Sequence, residues 1–439
     1  MSGIFQKMLS DEYKTAFVQK LENKIGMPDE VRESIVNYIK SSELDNDVKR
    51  LCAGNYFFSP PRQSMVRKNH SNRRRTVYIF NEKESYFLKF MTFVLMDFDY
   101  LYSPALCSFR TENRTDMFFK KLRKIDPKRK LYIVKSDIHD FGNSIDQDIL
   151  LYDIEPFFKD DPSFFNFTRW LMTRNEFYGH GKLTKERVSI VDGLPIGNFF
   201  KNMYLRQMDL ELEPESILYM RYTDDIAFFT DSYEKTQWAL EKIREYAYRQ
   251  KLEINEEKTQ IFKPGEEAEL LGIQIFDGGF DIGDFAIKKL TDKLKRYCDK
   301  KIRRVSYGKC THEQIMGDMI RFYDRVFFGK KYNDHELNWV VHAFPIITRI
   351  DGLKKIDACA QNCIRITGTC RKTKARYRVR YKHMVKAGYR SLVHAYYHGY
   401  DVENKIIQEQ IERMRKEREA RRLSELEENS SHDATTVSR

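Results

Sequence analysis

The alternation of apolar and polar positions changes along the chain, and the change predicts a mixed α+β region followed by a helical region. Residues 131–137 (LYIVKSD) form a nearly continuous apolar run that ends in an acid, which is typical of a buried strand. Residues 217–230 (ILYMRYTDDIAFFT) predict two strands joined by a tight turn. Residues 269–276 (ELLGIQIF) predict a further strand, followed by an Asp-Gly-Gly turn. From residue 284 to about residue 400 the pattern is helical and basic.

Helical patterns account for most of the chain before residue 284. Residues 1–55 read as helical, and a basic loop between strand-like runs follows at residues 56–80. Further largely helical segments are predicted at residues 84–125, 163–178, 192–212 and 233–250. Residues 401–425 are dense in charge and predict a solvated helix, whereas residues 426–439 predict a disordered tail.

Composition favours a nucleic-acid partner over a membrane. The chain has 439 residues, 41% of them hydrophobic, and its 77 basic and 65 acidic residues give a net charge of +12. The length suggests about three domains at ~150 residues each. Basic residues bind phosphates through counterion release, and the aromatic residues, 14% of the chain, can stack on bases. The alternative is that the basic excess serves solubility alone.

The sequence shows no sign of membrane insertion, export or a disulfide framework. No apolar run approaches the ~18–20 residues of a membrane-spanning helix. The first residues, MSGIFQKMLSDEYK, lack the apolar stretch of a signal peptide. The seven cysteines are odd in number and scattered. We therefore expect a cytoplasmic protein without a membrane partner.

Two adjacent acids, Asp224 and Asp225, stand between apolar runs at the tip of the predicted hairpin. Like charges this close repel each other, and the flanking apolar residues keep the site partly dry, so a metal cation is the obvious group to hold them. Asp137, at the end of a predicted buried strand, offers a third acid. Two-metal phosphoryl transfer needs such acids on rigid elements. Taken alone, Asp137 could equally cap a turn or helix, and an isolated Asp-Asp pair usually has no metal.

Several segments, taken in order, resemble the motifs of the reverse transcriptase family over about residues 55–276. YTDD (222–225) resembles the family's tyrosine–x–aspartate–aspartate box, and KSDIHDFGNSID (135–146) resembles its first palm motif. The other matches are RKNHSNRRRTVYIF (67–80) and SFRTENRT (108–115) in the fingers, GLPIGN (193–198) and LEINEEKTQIF (252–262) in the palm, and ELLGIQI (269–275) as the primer-grip strand. Each match is weak alone, but five or more in family order are specific.

The resemblance implies an α+β right-hand polymerase with fingers, an antiparallel-sheet palm and a helical thumb, plus a helical basic C-terminal extension. The expected ranges are an N-terminal helical segment (1–55), fingers (56–130), palm (131–280), thumb (281–350), basic helical extension (351–425) and disordered tail (426–439). The implied activity is RNA-directed DNA polymerisation, a nucleotidyl transfer that consumes dNTPs.

The family's site residues carry over to positions that match its motifs. The implied ligands of two Mg²⁺ ions, with Mn²⁺ as the alternative ion, are Asp137, Ile138, Asp224 and Asp225. Lys258 is implied as an acid near the leaving pyrophosphate, or else is a surface lysine. The implied nucleotide-binding residues are Lys68, Arg75, Ile138, Phe141, Gly142, Ile196 and Gly197, with Arg73 and Arg74 as alternatives for Arg75. The implied primer and template residues are Arg110, Tyr222 and Gly272, although Tyr222 could equally serve core packing.

The chain departs from the family pattern at three places. The family usually has a bulky aromatic residue five positions after the first metal aspartate, where it crowds a ribose 2′-hydroxyl, but here the position is Gly142. We hypothesise weakened sugar discrimination, or a gate supplied by Phe141 in a shifted backbone. The usual glutamine of the second palm motif is Ile196. The stretch that follows is about four residues short, roughly one helical turn, which suggests specialised template handling.

No segment after residue 276 resembles an intron DNA-binding, nuclease or RNase H module. By elimination, we expect a bacterial antiphage-defence enzyme that works with a dedicated noncoding RNA template, makes a DNA product and has a partner protein from the same operon. Residues 366–401 are basic and aromatic and suit RNA binding, or else form an ordinary thumb extension. The alternatives are a diversity-generating or other retroelement enzyme, which would tolerate Ile196, and a catalytically silent RNA-binding polymerase fold.

Overall fold

The computed structural model describes residues 3–22, 27–67, 74–110, 115–126, 128–186, 188–189, 191–306, 311–329, 339–371 and 373–399. The chain divides into two compact units, Met1–Leu271 and Gly272–Arg439. Lys68, Arg73 and the predicted charged helix and tail after residue 400 lie outside the described residues.

Several helices of the first unit begin at a capping side chain. The α-helices are α1 (Ile4–Leu9), α2 (Asp11–Glu22), α3 (Asp29–Ile39), α4 (Ser42–Cys52), α5 (Glu82–Val94), α6 (Thr115–Arg123), α7 (Phe141–Ser144), α8 (Gln147–Phe158), α9 (Pro162–Thr173), α10 (Gly197–Tyr204), α11 (Arg206–Leu212) and α12 (Tyr233–Arg249), with 3-10 helices at Leu95–Leu101 and Glu213–Glu215. The Asn81 side chain caps α5, and Asp146 caps α8 by accepting from two backbone N–H groups. Each such cap satisfies donors that a helix start leaves without partners.

An antiparallel four-stranded sheet in the order β6-β7-β3-β8 forms the centre of the first unit. Its strands are β3 (Tyr132–Asp137), β6 (Leu218–Tyr222), β7 (Asp225–Thr230) and β8 (Gln260–Phe262). The middle strands are nearly continuous apolar runs, because both of their faces are buried; residues 226–230 of β7 are all buried. The strands predicted at residues 131–137 and 217–230 are thus present.

A second sheet, in the order β2-β1-β4-β5, consists of β1 (Arg62–Arg67), β2 (Arg74–Ile79), β4 (Glu176–Gly179) and β5 (Lys182–Lys185). Strands β1 and β2 pair antiparallel, whereas β1 and β4 pair in parallel. The helix predicted at residues 163–178 ends at Thr173, and the β4–β5 hairpin that follows was not predicted. A short strand, β9 (Ala268–Leu270), completes the unit.

The core of the first unit is rich in aromatic rings and is shared by the N-terminal helices and the helices beside the central sheet. Phe58, Phe87 and Phe167 are buried, and their rings pack edge-on with centroids 5.5–6.4 Å apart. Such edge-to-face pairs stabilise a core beyond the area that they bury. Phe5 of α1 packs on Phe167 with ring centroids 6.0 Å apart, so the N-terminal helices are part of this unit's core.

The second unit begins with an antiparallel hairpin and continues as helices. Its elements are β10 (Ile273–Phe276), β11 (Gly279–Ile282), α13 (Asp284–Ser306), α14 (His312–Phe328), α15 (Trp339–Ala343), α16 (Asp351–Thr369), α17 (Ala375–Arg378), α18 (Tyr381–Lys386) and α19 (Leu392–His398). Buried Asp357 of α16 accepts hydrogen bonds from Tyr323, Tyr389 and Ser391 and from the backbone N–H groups of residues 392 and 393. These bonds fix the start of α19 against α16.

The architecture confirms the predicted fold class, α+β with an antiparallel central sheet and helical regions. None of the helices in the described part of the chain combines the length and apolar character needed to cross a bilayer. The finer domain ranges stay predictions, since the division into two units at residues 271 and 272 does not test them.

Candidate active site

The central sheet brings the three predicted acids to one edge. In the pairing of β3 with β7, Asp137 lies directly opposite Asp225. In the β6–β7 hairpin, Asp225 pairs with Tyr222, which leaves Thr223 and Asp224 as the two-residue turn. Residues directly opposite each other in an antiparallel pair have Cβ atoms ~4.5–5.5 Å apart. The register therefore sets carboxylates from two rigid strands side by side.

The turn that carries Asp224 has a strained backbone held by hydrogen bonds. Thr223 has a φ of 56°, a conformation that β-branched residues rarely adopt. Its N–H donates to the Ser108 hydroxyl at 3.1 Å, and its own hydroxyl donates to Asp224 Oδ1 at 2.6 Å. Arg221 Nη1 donates to the Thr223 carbonyl at 2.9 Å. Strain of this kind persists only where the surroundings fix it, and it is common at functional sites.

A buried ion pair between Arg221 and Asp209 anchors the β6–β7 hairpin. Arg221 donates from Nε and Nη2 to the two carboxylate oxygens of Asp209 at 2.7 and 2.6 Å, and both side chains are almost fully buried. The Tyr219 hydroxyl donates to the same carboxylate at 2.9 Å. Burial opposes the charge of Arg221, but the Asp209 carboxylate outweighs it and raises the pKa of Arg221. The hairpin backbone is thus anchored to α11 by a bidentate pair.

Asp137 is held by the segment that follows α12. Its Oδ2 accepts from Lys258 Nζ at 2.8 Å and from Asn255 Nδ2 at 3.1 Å. The Asn255 N–H also donates to the Asp137 carbonyl at 2.8 Å. Partial burial would lower the pKa of Lys258, but the hydrogen bond and charge of Asp137 outweigh it and raise that pKa. Lys258 therefore stands at the acids as a protonated amine.

The three carboxylates repel each other in the expected way. Burial, and after it the charges of Asp224 and Asp137, raise the pKa of Asp225 to about 6, against the opposing effect of Lys135 and Lys258. A carboxyl group with this pKa holds a proton more tightly than a solvated one. Additional positive charge at this edge would release that proton, which is the electrostatic condition of a cation site.

The three carboxylates fit a Mg²⁺ ion that is bound jointly by protein, water and substrate rather than by protein ligands alone. Within the described residues, no three His, Cys, Asp or Glu side chains are placed to hold a metal ion by themselves. Mg²⁺ is usually bound by one or two carboxylates together with waters and substrate phosphates, not by an all-protein cage. Asp137, Asp224 and Asp225 offer the oxygen ligands for such an arrangement. The side chain of Ile138 is a buried hydrocarbon with no donor atom, so Ile138 could contribute only its backbone carbonyl oxygen.

The candidate phosphate-binding residues lie on the β1–β2 hairpin where they are described. Arg74 and Arg75 open β2 and are exposed, and Arg75 pairs with Val66 of β1. Of the two primary residues predicted for the triphosphate, the structure thus describes Arg75 and leaves Lys68 outside. Arg75 stays the prediction for this role, with Arg74 beside it.

Gly142 is covered by a carboxylate that the sequence analysis did not identify. A Cβ atom built on Gly142 would lie 2.1 Å from Asp192 Oδ1 and 2.4 Å from its Cγ, so no side chain fits there while Asp192 keeps its position. Phe141 is buried, with its ring 6.4 Å from that of Tyr204. This core position does not support the hypothesis that Phe141 supplies a shifted gate.

The residues of the second palm motif, GLPIGN (193–198), that were predicted to contact the nucleotide are packed against the protein interior. Ile196 is fully buried, and a Cβ on Gly197 would lie 2.1 Å from the Val191 carbonyl oxygen. The Ile196 side chain therefore packs in the core, so it could affect a nucleotide only through the backbone. Gly197 permits the close approach of the chain before α10.

The predicted primer and template residues have different environments. Arg110 is bound by Asp99 through two bonds of 2.7 and 2.6 Å and by the Ser103 carbonyl, so its guanidinium serves the fold. Tyr222 is half-buried, and burial raises its pKa. Gly272 begins the second unit with a φ of 80°, and its carbonyl accepts from Gly283. Of the three, Tyr222 is the one placed beside the acids.

Two residues near the acids, Phe109 and Asn255, were not predicted from the sequence. Phe109 is 52% exposed, has a φ of 56°, and lies with its ring 6.5 Å from that of Tyr222. Asn255 binds Asp137. Asn255 stands three positions before Lys258 in LEINEEK and could have been found from that spacing, whereas an exposed Phe109 has no local sequence signal.

Three carboxylates at one edge of a buried antiparallel sheet, with an amine among them, define the class of palm-type nucleotidyltransferases. Within that class, residues 66–275 match the family model described as reverse transcriptase (RNA-dependent DNA polymerase). Residues 66–275 therefore form a reverse transcriptase domain. A search of curated proteins found no match.

Solved structures similar to this chain include three of telomerase from Candida species. The Candida tropicalis apo telomerase truncated from its C-terminal domain has 14% identity and a TM-score of 0.39, and covers 50% of this chain and 54% of its own. The apo telomerase from Candida tropicalis has 13% identity and a TM-score of 0.43, and the match covers 78% of this chain and 72% of the telomerase chain. Telomerase from Candida albicans, in complex with a TWJ fragment of telomeric RNA, has 10% identity and a TM-score of 0.42, and the match covers 84% of this chain and 68% of the telomerase chain. The chain spans about half of the first of these, and likenesses this low contribute nothing to the assignment.

Proposed function

We propose that this chain extends DNA on an RNA template by two-metal nucleotidyl transfer. The observation that carries the proposal is the register that sets Asp137 opposite Asp225, with Asp224 at the adjoining turn. When bound, two Mg²⁺ ions would supply the charge that stabilises the attacking and leaving oxygens. Asp137, Asp224 and Asp225 would hold these ions, with the Ile138 carbonyl as a further oxygen.

The chain's own residues then position the nucleotide and supply a proton to the leaving group. The primer 3′-hydroxyl gives up its proton to solvent water and its oxygen forms a bond to the α-phosphorus, while the bond from that phosphorus to the oxygen bridging to the β-phosphate breaks. Lys258, which the acids keep protonated, is placed to give a proton to the leaving pyrophosphate. Arg75 on the exposed hairpin would neutralise the triphosphate. Phe109 and Tyr222 offer ring surfaces for bases beside the acids.

We further propose that the enzyme is a bacterial antiphage-defence reverse transcriptase with a dedicated noncoding RNA. The C-terminal sequence supports an RNA partner, because residues 358–400 contain ten Lys or Arg and not one Asp or Glu. Within it, residues 371 and 373–390 expose most of their basic side chains together with Tyr377 and Tyr381, while Ala375, Val379, Met384 and Tyr389 are buried. We name this exposed surface of residues 371 and 373–390 the basic face. Arginines interleaved with exposed rings suit single-stranded RNA.

Purification from the native operon tests the template and the activity together. The wild-type protein is expected to carry a discrete small RNA and DNA complementary to part of it. A variant with Asp224→Asn and Asp225→Asn is expected to carry the RNA without the DNA. RNA with no acid-dependent DNA would contradict the polymerase proposal and favour the RNA-binding alternative. A neighbouring variable-protein gene with a template repeat would instead favour a diversity-generating retroelement, which Ile196 would tolerate.

Charge reversal on the basic face is expected to weaken RNA binding by about 10- to 100-fold, because each lost phosphate contact removes counterion release. The variant is Arg376→Glu with Arg378→Glu and Arg380→Glu, measured by fluorescence anisotropy with a labelled 30-nucleotide RNA. The salt dependence of binding should also become shallower.

The matched control makes the same change of net charge on exposed lysines of the first unit, Lys40→Glu with Lys49→Glu and Lys159→Glu. It is expected to retain near-normal affinity and salt dependence. Equal losses in the two variants would show that total charge, rather than the basic face, binds the RNA.

A further inference from the structure

The surroundings of Gly142 show what replaces the side chain that this position lacks. The Asp192 carboxylate lies against the Gly142 backbone, with Oδ1, Cγ and Oδ2 at 2.1, 2.4 and 2.8 Å from where a Cβ would be. Asp192 is 8% exposed and forms an ion pair with Lys201 of α10. The Ser189 hydroxyl donates to the Gly142 carbonyl at 2.9 Å. The space is therefore filled, by a charged group.

Asp192 is also tied to the strand that holds the candidate phosphate-binding arginine. The Tyr78 N–H of β2 donates to the Asp192 carbonyl at 2.9 Å. The next residue, Gly193, has a φ of 103°, and a Cβ there would lie 2.3 Å from the Tyr78 carbonyl oxygen. Arg75 lies three residues before Tyr78 on the same strand. Gly142, at the other end of the contact, is five residues beyond Asp137. Asp192 thus stands between the elements that would hold the triphosphate and the metal ions.

We infer that Asp192 determines the sugar specificity of the incoming nucleotide, an inference that rests on the proposed polymerase function. A carboxylate only accepts hydrogen bonds, and a ribose 2′-hydroxyl can donate one. Carboxylates recognise ribose hydroxyls in this way in dinucleotide-binding sites. An aromatic ring at position 142 would exclude the hydroxyl by bulk, whereas Asp192 accepts it. Lys201 holds the carboxylate in place through the ion pair. The enzyme is therefore expected to use ribonucleotides and deoxyribonucleotides with comparable efficiency.

The contact also changes what an aromatic substitution would do. Gly142→Phe alone cannot be accommodated beside Asp192, and we expect it to lower the melting temperature and incorporation of both sugars. Gly142→Phe combined with Asp192→Ala removes the obstacle. The double variant should regain thermal stability relative to the single variant and exclude ribonucleotides by bulk.

Single-nucleotide incorporation on a primed RNA template, with dGTP and GTP opposite C, tests the inference. Asp192→Ala is expected to raise the ratio of deoxy to ribo kcat/KM by about 10- to 100-fold, the usual effect of losing a hydrogen bond to a charged group. The change should fall mainly on KM for GTP. The double variant should raise the ratio further. Asp153→Asn is the matched control, because this carboxylate binds Gln250 rather than the Gly142 region, and its ratio should equal that of the wild type.

Thermal stabilisation by dGTP or GTP with Mg²⁺ distinguishes failure of the polymerase proposal from failure of the proposed Asp192–sugar contact. Wild-type protein that is stabilised by both nucleotides, but incorporates neither, would overturn the polymerase proposal; loss of GTP stabilisation in Asp192→Ala would still support the sugar contact. Wild-type protein that incorporates dGTP, with a ratio unchanged in Asp192→Ala, would overturn the sugar contact alone. Absence of both stabilisation and incorporation would overturn both.

Discussion

Asp225→Asn is expected to abolish nucleotide incorporation and, in the absence of divalent metal, to make the folded protein more stable at pH 8. The carboxylate is half-buried beside two others, and these surroundings raise its pKa from the ordinary 3.8 to about 6. A shift of this size corresponds to about 1–3 kcal/mol of free energy of unfolding, allowing for partial exposure to water. The amide keeps the shape of the side chain and removes the repulsion.

The pH dependence follows from the direction of this shift. Below pH 3.8 the group is protonated in the folded and the unfolded chain, and its ionisation costs nothing. As the pH rises through about 6, the folded chain must give up its proton, and the cost becomes complete. The stabilisation by Asp225→Asn should therefore be largest at pH 8 and small near pH 4. With Mg²⁺ present, the wild type should instead be the more stable of the two proteins. The ion stabilises the wild type by binding its carboxylates, and the variant lacks one of these ligands.

Urea unfolding at several pH values, with and without Mg²⁺, measures this effect beside a primer-extension assay. Asp231→Asn is the control, since this exposed carboxylate directly follows β7 but pairs with Arg129, which lowers its pKa. The control should polymerise normally and gain no stability. A variant at Asp225 that is no more stable than the wild type at pH 8 would contradict the repulsion among the three acids.

The central sheet could be predicted because its signals are local. The apolar runs of β3 and β7 each border an acid, and the short polar turn between two apolar segments fixed the hairpin around Asp224. The strands place Asp137 opposite Asp225 by register, which the sequence does not show. That detail came with the resemblance to a known family and was then found in the pairing of the strands.

The elements that the sequence analysis missed have weaker or non-local signals. The β4–β5 hairpin follows an apolar helix without a break in pattern, and its turn uses positive φ at His180 and Gly181, where only the glycine is a usual sign. Asp192 lies 50 residues after Gly142 in the sequence, so no periodicity joins them. Arg110 matched a family motif, but its engagement by Asp99 depends on tertiary packing.

The second large effect is expected at the ion pair beneath the active hairpin. Asp209→Asn keeps the shape of the side chain but leaves Arg221 buried with no opposite charge. Removing one partner of a buried pair typically costs about 3–5 kcal/mol of stability, because the remaining charge is left desolvated. Because Arg221 also donates to the Thr223 carbonyl, loss of the pair should loosen the turn that presents Asp224. Melting temperature and urea midpoint should both fall, together with incorporation.

A triple variant separates stability from positioning at this pair. Asp209→Leu with Tyr219→Phe and Arg221→Met replaces the buried polar cluster by apolar groups of similar size, which is often neutral or stabilising. Its stability should return toward that of the wild type, while kcat stays low, because no side chain then holds the Thr223 carbonyl. The surface pair Arg129–Asp231 is the control, and Arg129→Ala should cost less than about 1 kcal/mol. A triple variant that polymerises at the wild-type rate would show that the pair serves the fold alone; low activity with restored stability would show that the hairpin's strained turn must be held for catalysis.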